Sequence, residues 1–300
     1  MDTGIPGPVT LLFVVTVFSS IPLSCAMLIG ERGSVTRNDW RIVNVFPHDT
    51  TAFTQGLVFY DGWLYESTGR RGQSEIRKIR LETGEIVRRR KMGDEYFGEG
   101  LTILNNRMIQ LTLSSGKGFV YDWKTFEVLR TFPIAGAGWG LTNNGEQLIM
   151  SDGSAILHFL NPETFRKVRQ ITVMDNGEPV SKLNELEMVG DMIFANVSTS
   201  DEILIIDPGR AEVTGRIDLE WLVSRVKKEH RVNILNGIAY DSRNGRIFIT
   251  GKLWPNIYEI KRRVPPDSAS SVNVRNDFNL KKDVTHITDV PGDGKLPTMK

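Results

Sequence analysis

From about Ile42 to Ile260, apolar side chains recur in short runs rich in Val, Ile, Leu, Phe and Tyr, and the runs are separated by Gly, Asn and Asp. Alternation with a period of two marks extended strands with one buried face, and no long helical period interrupts it. Only residues 219–229 (LEWLVSRVKKE) carry enough helical spacing for a few turns. The pattern predicts an all-β fold.

The strand pattern is also repetitive. GLVFYDGWLYES at Gly56, GLTILNNRMIQLT at Gly100, GLTNNGEQLIMSD at Gly140, ELEMVGDMIFANV at Glu185 and GIAYDSRNGRIFIT at Gly237 each read as strand, tight turn, strand. A further apolar run follows each of them (IRKIRL, GFVYDW, AILHFL, EILIID, NIYEIK), and the first four then add another strand. Four strands per unit, at roughly 40–50 residue spacing, is the signature of propeller blades. The fifth unit runs out at Ile260 without its fourth strand, and Trp40–Phe46 (WRIVNVF) is free to supply it. The expectation is a five-bladed β-propeller over residues 40–261, closed by an N-terminal strand that removes a free sheet edge. Too little chain remains for a sixth blade.

Composition changes the picture at the two ends. No charged residue lies between Asp2 and Glu31, residues 9–18 (VTLLFVVTVF) are almost continuously apolar, and Ser24-Cys25-Ala26 offers small residues before a cleavage site after Ala26. Residues 1–26 therefore read as a secretory signal peptide, which implies a secreted protein. The lack of basic residues ahead of the apolar run leaves an uncleaved membrane anchor as the alternative. Residues 264–300, rich in Pro, Ser and Asp, read as a disordered tail. The single cysteine, Cys25, falls in the leader, so the propeller has no disulfide, thiolate metal site or cysteine nucleophile. A net charge of +1 with thinly spread Lys and Arg argues against a nucleic-acid partner. His48, His158, His230 and His286 are isolated from one another in sequence, so no metal site is expected. A closed ring needs no partner, and a monomer is expected. Asn196-Val197-Ser198 matches a glycosylation sequon but lies within a predicted inner strand, and it is expected to be unmodified.

Seven short segments carry candidate chemistry: FTQGL (53–57), YESTG (65–69), FGEGLT (97–102), GWGL (138–141), LNELE (183–187), LNGIAYD (235–241) and TGKLWP (250–255). Together, and in this order, they resemble the plant and bacterial glutaminyl-peptide cyclotransferases (glutamine cyclotransferases), over roughly residues 40–261. The resemblance implies a metal-independent acyltransferase, without cofactor, that converts the N-terminal Gln of peptides and proteins into pyroglutamate. It makes Glu99 the general acid/base. Lys252, Asn184 and Gln55 become polar pocket residues, and Phe53, Phe97 and Trp139 its apolar walls. Read locally, Glu99 between two glycines is a turn carboxylate, and Glu66, Glu185 and Glu187 are acceptors for strand backbone. Trp254 reads as blade packing.

The chemistry suits those residue types. A substrate that carries its own amine nucleophile needs no Ser or Cys; it needs a proton carrier and donors for a developing oxyanion. A carboxyl desolvated by Phe97 and Trp139 would have its pKa raised, and Lys252, Asn184 or Gln55 could donate to the amide oxygen. The chain departs from the family pattern at Leu113 and Ser198, where tryptophans are usual, which removes aromatic surface from the pocket. The alternative is therefore a secreted, non-catalytic propeller that binds peptide N-termini. A metal-dependent lactonase would need a calcium site that the motifs do not call for.

Overall fold

The computed structural model describes Met1 and residues 40–263; the expected leader and tail lie outside the described residues. β1 (Trp40–Pro47) is followed by β2 (Thr54–Tyr60), β3 (Trp63–Thr68), β4 (Glu75–Arg80) and β5 (Glu85–Lys91), which form one antiparallel sheet in sequence order. The next sheet is β6 (Gly98–Leu104), β7 (Arg107–Thr112), β8 (Lys117–Asp122) and β9 (Val128–Pro133). The third is β10 (Leu141–Asn143), β11 (Leu148–Ser151), β12 (Ile156–Leu160) and β13 (Lys167–Thr172). After β14 (Met174–Asp175) and β15 (Glu178–Pro179) come β16 (Leu183–Val189), β17 (Met192–Val197), β18 (Glu202–Asp207) and β19 (Glu212–Asp218). A helix, α1 (Glu220–Glu229), then leads to β20 (Leu235–Asp241), β21 (Arg246–Gly251) and β22 (Asn256–Arg262). The innermost strands β2, β6, β10, β16 and β20 contact one another in ring order, making five blades about one axis.

Each blade is built by repeated local rules. The Asp61-Gly62 and Asn105-Asn106 pairs all adopt positive φ, the geometry that joins twisted strands by a two-residue turn. At the outer turn, Asp122, Asn161 and Asp207 each accept backbone N–H groups two and three residues on. Three residues of the same register, Phe126, Phe165 and Ala211, turn left-handed there. Side-chain acceptors for turn N–H groups are what Asp and Asn contribute at such positions. Apolar residues from adjacent blades fill the spaces between the sheets, as with Leu57, Leu64, Phe248 and Ile257 between the first and last.

Ring closure follows the expectation. β1 pairs antiparallel with β22 from Trp40↔Arg262 to Pro47↔Asn256, and the order of that sheet is β1-β22-β21-β20. The chain leaves β1 into a buried ionic knot. His48 places Nδ1 2.8 Å from the Trp254 carbonyl and Nε2 3.0 Å from Glu66 Oε1. Thr54 donates to the same carboxyl oxygen, and Arg77 reaches Glu66, Glu75 and Asp49. Burial alone would lower the His48 pKa and raise that of Glu66, but each charge and its hydrogen bonds reverse the sign for the other. The first and last blades are thus tied by charge as well as by backbone.

One feature departs from the sequence reading. The β14–β15 hairpin extends the fourth blade to six strands by parallel pairing of Met174 with Glu212. Asn196 lies on β17, an inner strand of its blade, with its side chain buried.

The axis itself has little room. A Cβ on Gly100 would lie 2.5 Å from Leu141 N, and one on Gly140 would run into the Asn184 carbonyl. In the fourth blade the corresponding residue is Glu185, whose carboxyl accepts Leu57 N at 3.3 Å and Ile238 N at 2.9 Å. Glu187 accepts Tyr240 N and the Thr142 hydroxyl. These carboxyls serve inner-edge N–H groups that would otherwise be buried unpaired, at about 1–3 kcal/mol each.

Burial pushes the Glu187 pKa up to about 8, although its donors pull it down. Between its ordinary 4.5 and about 8 the folded chain holds a proton that the unfolded chain has released, so stability falls as pH rises through that window. Glu187→Gln keeps an acceptor oxygen but cannot titrate. Thermal melts from about pH 4.5 to about pH 8 should show wild-type Tm falling relative to the variant. Parallel curves would contradict the assignment.

Candidate active site

Five side chains occupy one structural position. Gln55, Glu99, Trp139, Asn184 and Asn236 each stand two residues before the leucine or isoleucine that opens the regular part of an innermost strand (Leu57, Leu101, Leu141, Leu186, Ile238). In four of the five strands the ladder register breaks there: between Thr54 and Gly56, Gly98 and Leu101, Leu183 and Leu186, and Leu235 and Ile238. A bulge of this kind re-aims the side chain it carries, and here it repeats round the mouth of the ring.

Glu99 is 3 % exposed. Its strand is pinned on both sides, with Gly98 N donating to Ser74 Oγ at 3.0 Å and Gly100 N to Trp139 O at 2.6 Å. Gln55 Nε2 donates to Glu99 Oε1 at 3.1 Å. Burial holds the Glu99 carboxyl well above the usual carboxylate range, and the positive charge of Lys252 opposes this only in part. Lys252 is displaced the other way: burial lowers its pKa, against the pull of Glu99. The site is a desolvated acid and a desolvated base in one field.

Lys252 follows β21, and its backbone is clamped by Asn233 N on its carbonyl and by its own N–H on Ile234 O. Leu253, in the left-handed region at φ +66°, then turns the chain so that its N–H reaches Ala52 O. The Lys252 ammonium stands 5.0 Å from the Phe53 ring centroid, and the Arg70 guanidinium 4.4 Å from it. Phe53 meets Phe97 edge to face at 6.2 Å. Trp139 lies against Gly153, where a Cβ would come within 2.8 Å of the indole. Phe53, Phe97 and Trp139 are half-buried and line the rim, while the polar groups lie beneath.

All seven residues singled out from sequence, Glu99, Lys252, Asn184, Gln55, Phe53, Phe97 and Trp139, fall at this end of the ring. Glu66, Glu185 and Glu187 instead bind structural donors, and Trp254 is fully buried in the core of the last blade. Two neighbours were missed. Asn236 is fully buried and donates to Thr54 O at 3.0 Å and towards Gln55 Oε1 at 3.4 Å; aligning the five repeats on their Leu/Ile would have revealed it. Arg70 at φ +80° has no such sequence signal. Leu113 and Ser198 are half-buried next to the rim strands. Among the described residues no group of three or more His, Cys, Asp or Glu is placed to hold a metal ion. A separate apolar cavity of about 350 Å³, lined by Phe132, Met150 and Phe165, lies between the second and third blades, away from Glu99.

The profile of the glutamine cyclotransferase family matches residues 14–262. The chain is 42% identical over 229 residues to glutaminyl-peptide cyclotransferase of Arabidopsis thaliana, covering 75% of this chain and 71% of that protein. It is also similar to the crystal structure of Myxococcus xanthus glutaminyl cyclase, at 38% identity and a TM-score of 0.71. That match covers 75% of this chain and 97% of the other.

The electrostatics of the pair give a direct test. Lys252→Met keeps the bulk of the side chain but removes the positive charge that lowers the Glu99 pKa, so the carboxyl should titrate at still higher pH. Carboxyl carbon NMR of labelled Glu99 across a pH series reads this. An unchanged or lower midpoint would mean that Lys252 does not act on it.

Proposed function

Because the chain belongs to the glutamine cyclotransferase family, we propose that it closes the N-terminal glutamine of peptides and proteins into pyroglutamate with release of ammonia, Glu99 carrying the proton in both directions. It is a transferase in which the substrate supplies both nucleophile and electrophile. The observation that carries the reading of Glu99 is its buried carboxyl, raised in pKa and hydrogen-bonded to Gln55, at the position where four of the five innermost strands break register and bury a polar side chain.

The amine nitrogen of the bound glutamine attacks its own side-chain carbonyl carbon, forming the C–N bond of a five-membered lactam. Glu99 takes the proton that this nitrogen sheds. The tetrahedral carbon then expels the original amide nitrogen, which Glu99 protonates, and ammonia leaves. An α-amine titrates near 7.7–8.0, so a carboxyl raised well above its ordinary value is closer to the group it must exchange with. Proton transfer is most efficient when neither direction is steeply uphill. Lys252 adds positive charge where the oxyanion develops, and Asn184 adds an amide. The rings of Phe53, Phe97 and Trp139 pack the aliphatic part of the side chain and exclude water.

With Leu113 and Ser198 in place of two rings, the grip is looser, so the cost should appear in KM more than in the proton transfer. No step draws on a metal. Ammonia release from a Gln-initiated peptide should persist after dialysis against EDTA, and Glu99→Gln should lower kcat by about 10²–10⁴-fold with an unchanged melting curve. Wild-type turnover no faster than the spontaneous reaction would favour the non-catalytic binding propeller. Equal turnover in Glu99→Gln would remove Glu99 from the mechanism.

A further inference from the structure

Among the described residues five buried side-chain polar atoms have no hydrogen-bond partner, and three of them belong to asparagines at the seam of the fourth and fifth blades: Asn184 Oδ1, Asn196 Nδ2 and Asn236 Oδ1. The seam is continuous. Leu183 pairs with Val197 and Leu186 with Ala195, so Asn196 faces the irregular stretch that holds Asn184. Gly237 N donates to Asn196 Oδ1 at 2.9 Å, which brings Asn196 beside Asn236. Asn236 leads on to Gln55, and Gln55 to Glu99.

Backbone contacts fix which way two of these amides point. Asn196 must turn its oxygen to Gly237 N, leaving its NH2 group as the open donor. Asn236 must turn its NH2 group to Thr54 O, leaving its oxygen as the open acceptor. A donor and an acceptor, each buried without a protein partner, cost about 1–3 kcal/mol apiece unless something pairs with them, and a substrate that offers both an acceptor and a donor would do so. Asn196 is bonded to the N–H of the residue that follows Asn236, one peptide link away, and the reciprocal of one donor and one acceptor held that near each other is a primary carboxamide. Burial does not set the pair apart from the chemistry: Asn196 is 1 % exposed, Asn236 0 % and Glu99 3 %.

We propose that Asn196 and Asn236 read the carboxamide of the substrate, Asn196 Nδ2 donating to the side-chain carbonyl oxygen of the N-terminal glutamine and Asn236 Oδ1 accepting from its NH2 group. The inference rests on the cyclotransferase reading above. During attack the carbonyl oxygen gains negative charge and the Asn196 hydrogen bond strengthens. The amide nitrogen becomes an amine, takes the proton held by Glu99 and departs as ammonia, with Asn236 holding one of its N–H groups until the C–N bond breaks. Lactam and ammonia account for every atom. An N-terminal glutamate would set a carboxylate oxygen against Asn236 Oδ1, two acceptors with no proton between them, and methionine would leave both groups unpaired. The sequon at Asn196 should stay unmodified, because the nitrogen that would carry a glycan is buried in the folded ring.

Asn196→Asp keeps the oxygen that Gly237 N needs and replaces the donor. With the full chain and a Gln-initiated peptide, kcat per folded molecule should fall about 100-fold, the loss expected for one oxyanion donor, whatever the buried carboxyl costs in Tm. A residue that only supports the fold, or an internal water bridging the two amides, would give a lowered Tm and a kcat per folded molecule equal to wild type, and that result overturns the proposal. Binding to wild type decides independently of the variant. Catalytically silent Glu- and Met-initiated peptides of the same sequence should bind at least about tenfold more weakly than the Gln-initiated one. Equal binding of all three overturns the proposal even if Asn196→Asp fails to fold. If wild type releases no ammonia, the cyclotransferase reading fails, while the binding series still reports on the asparagine pair.

Discussion

Five strand edges converge on one axis, and the space they leave admits backbone and little more than the carboxyls of Glu185 and Glu187. Four of the innermost strands place glycine at the closest approach; the fourth blade places Glu185, and its two oxygens serve the N–H groups of Leu57 and Ile238 on the first and last blades. Unpaired N–H groups in that dry core would be costly, and larger side chains would force the strands apart. The same crowding breaks the ladder register just before the closest approach, and each break directs one side chain to the mouth. The site is a consequence of how the ring closes on itself.

That origin explains the chemistry available there. A carboxyl on a flexible surface loop would keep an ordinary pKa. Glu99 sits between pinned neighbours in a desolvated ring, and its pKa is raised by that burial, with Lys252 offsetting part of the rise. No reorganisation of loops is needed to align acid, amides and ammonium, because they are attached to four of the five blades and the blades are locked by packing. The His48–Glu66–Arg77 knot ties the first blade, which carries Gln55, to the last, which carries Lys252. Rigid placement of groups that act only as charge develops is the economical route to catalysis when the substrate brings its own nucleophile.

Much of this was legible in the sequence. Blade number, strand order and closure by residues 40–46 follow from a repeat of apolar runs and turn residues, because each blade is a local unit with its own turns. The acid, Lys252, two of the amides and the rim aromatics were legible through seven motifs in register. Asn236 was not, since LNG alone reads as turn chemistry and only the shared position with Gln55, Glu99, Trp139 and Asn184 marks it. Nor was the β14–β15 hairpin, whose strands are two residues each and too short to show a period. His48 looked isolated because its partners, Glu66 and the Trp254 carbonyl, come from blades that meet only when the ring closes.

The central claim is that a glutamine's own amine displaces its own amide nitrogen inside this ring. The most direct measurement is a single-turnover incubation with a peptide whose N-terminal glutamine carries nitrogen-15 only in the side-chain amide, read by mass spectrometry of both products. The account predicts that all the label leaves as ammonia while the peptide loses one ammonia and gains no oxygen. Release of labelled ammonia with uptake of solvent oxygen would make water the nucleophile, and an unaltered peptide would leave the ring without the activity; either result contradicts it.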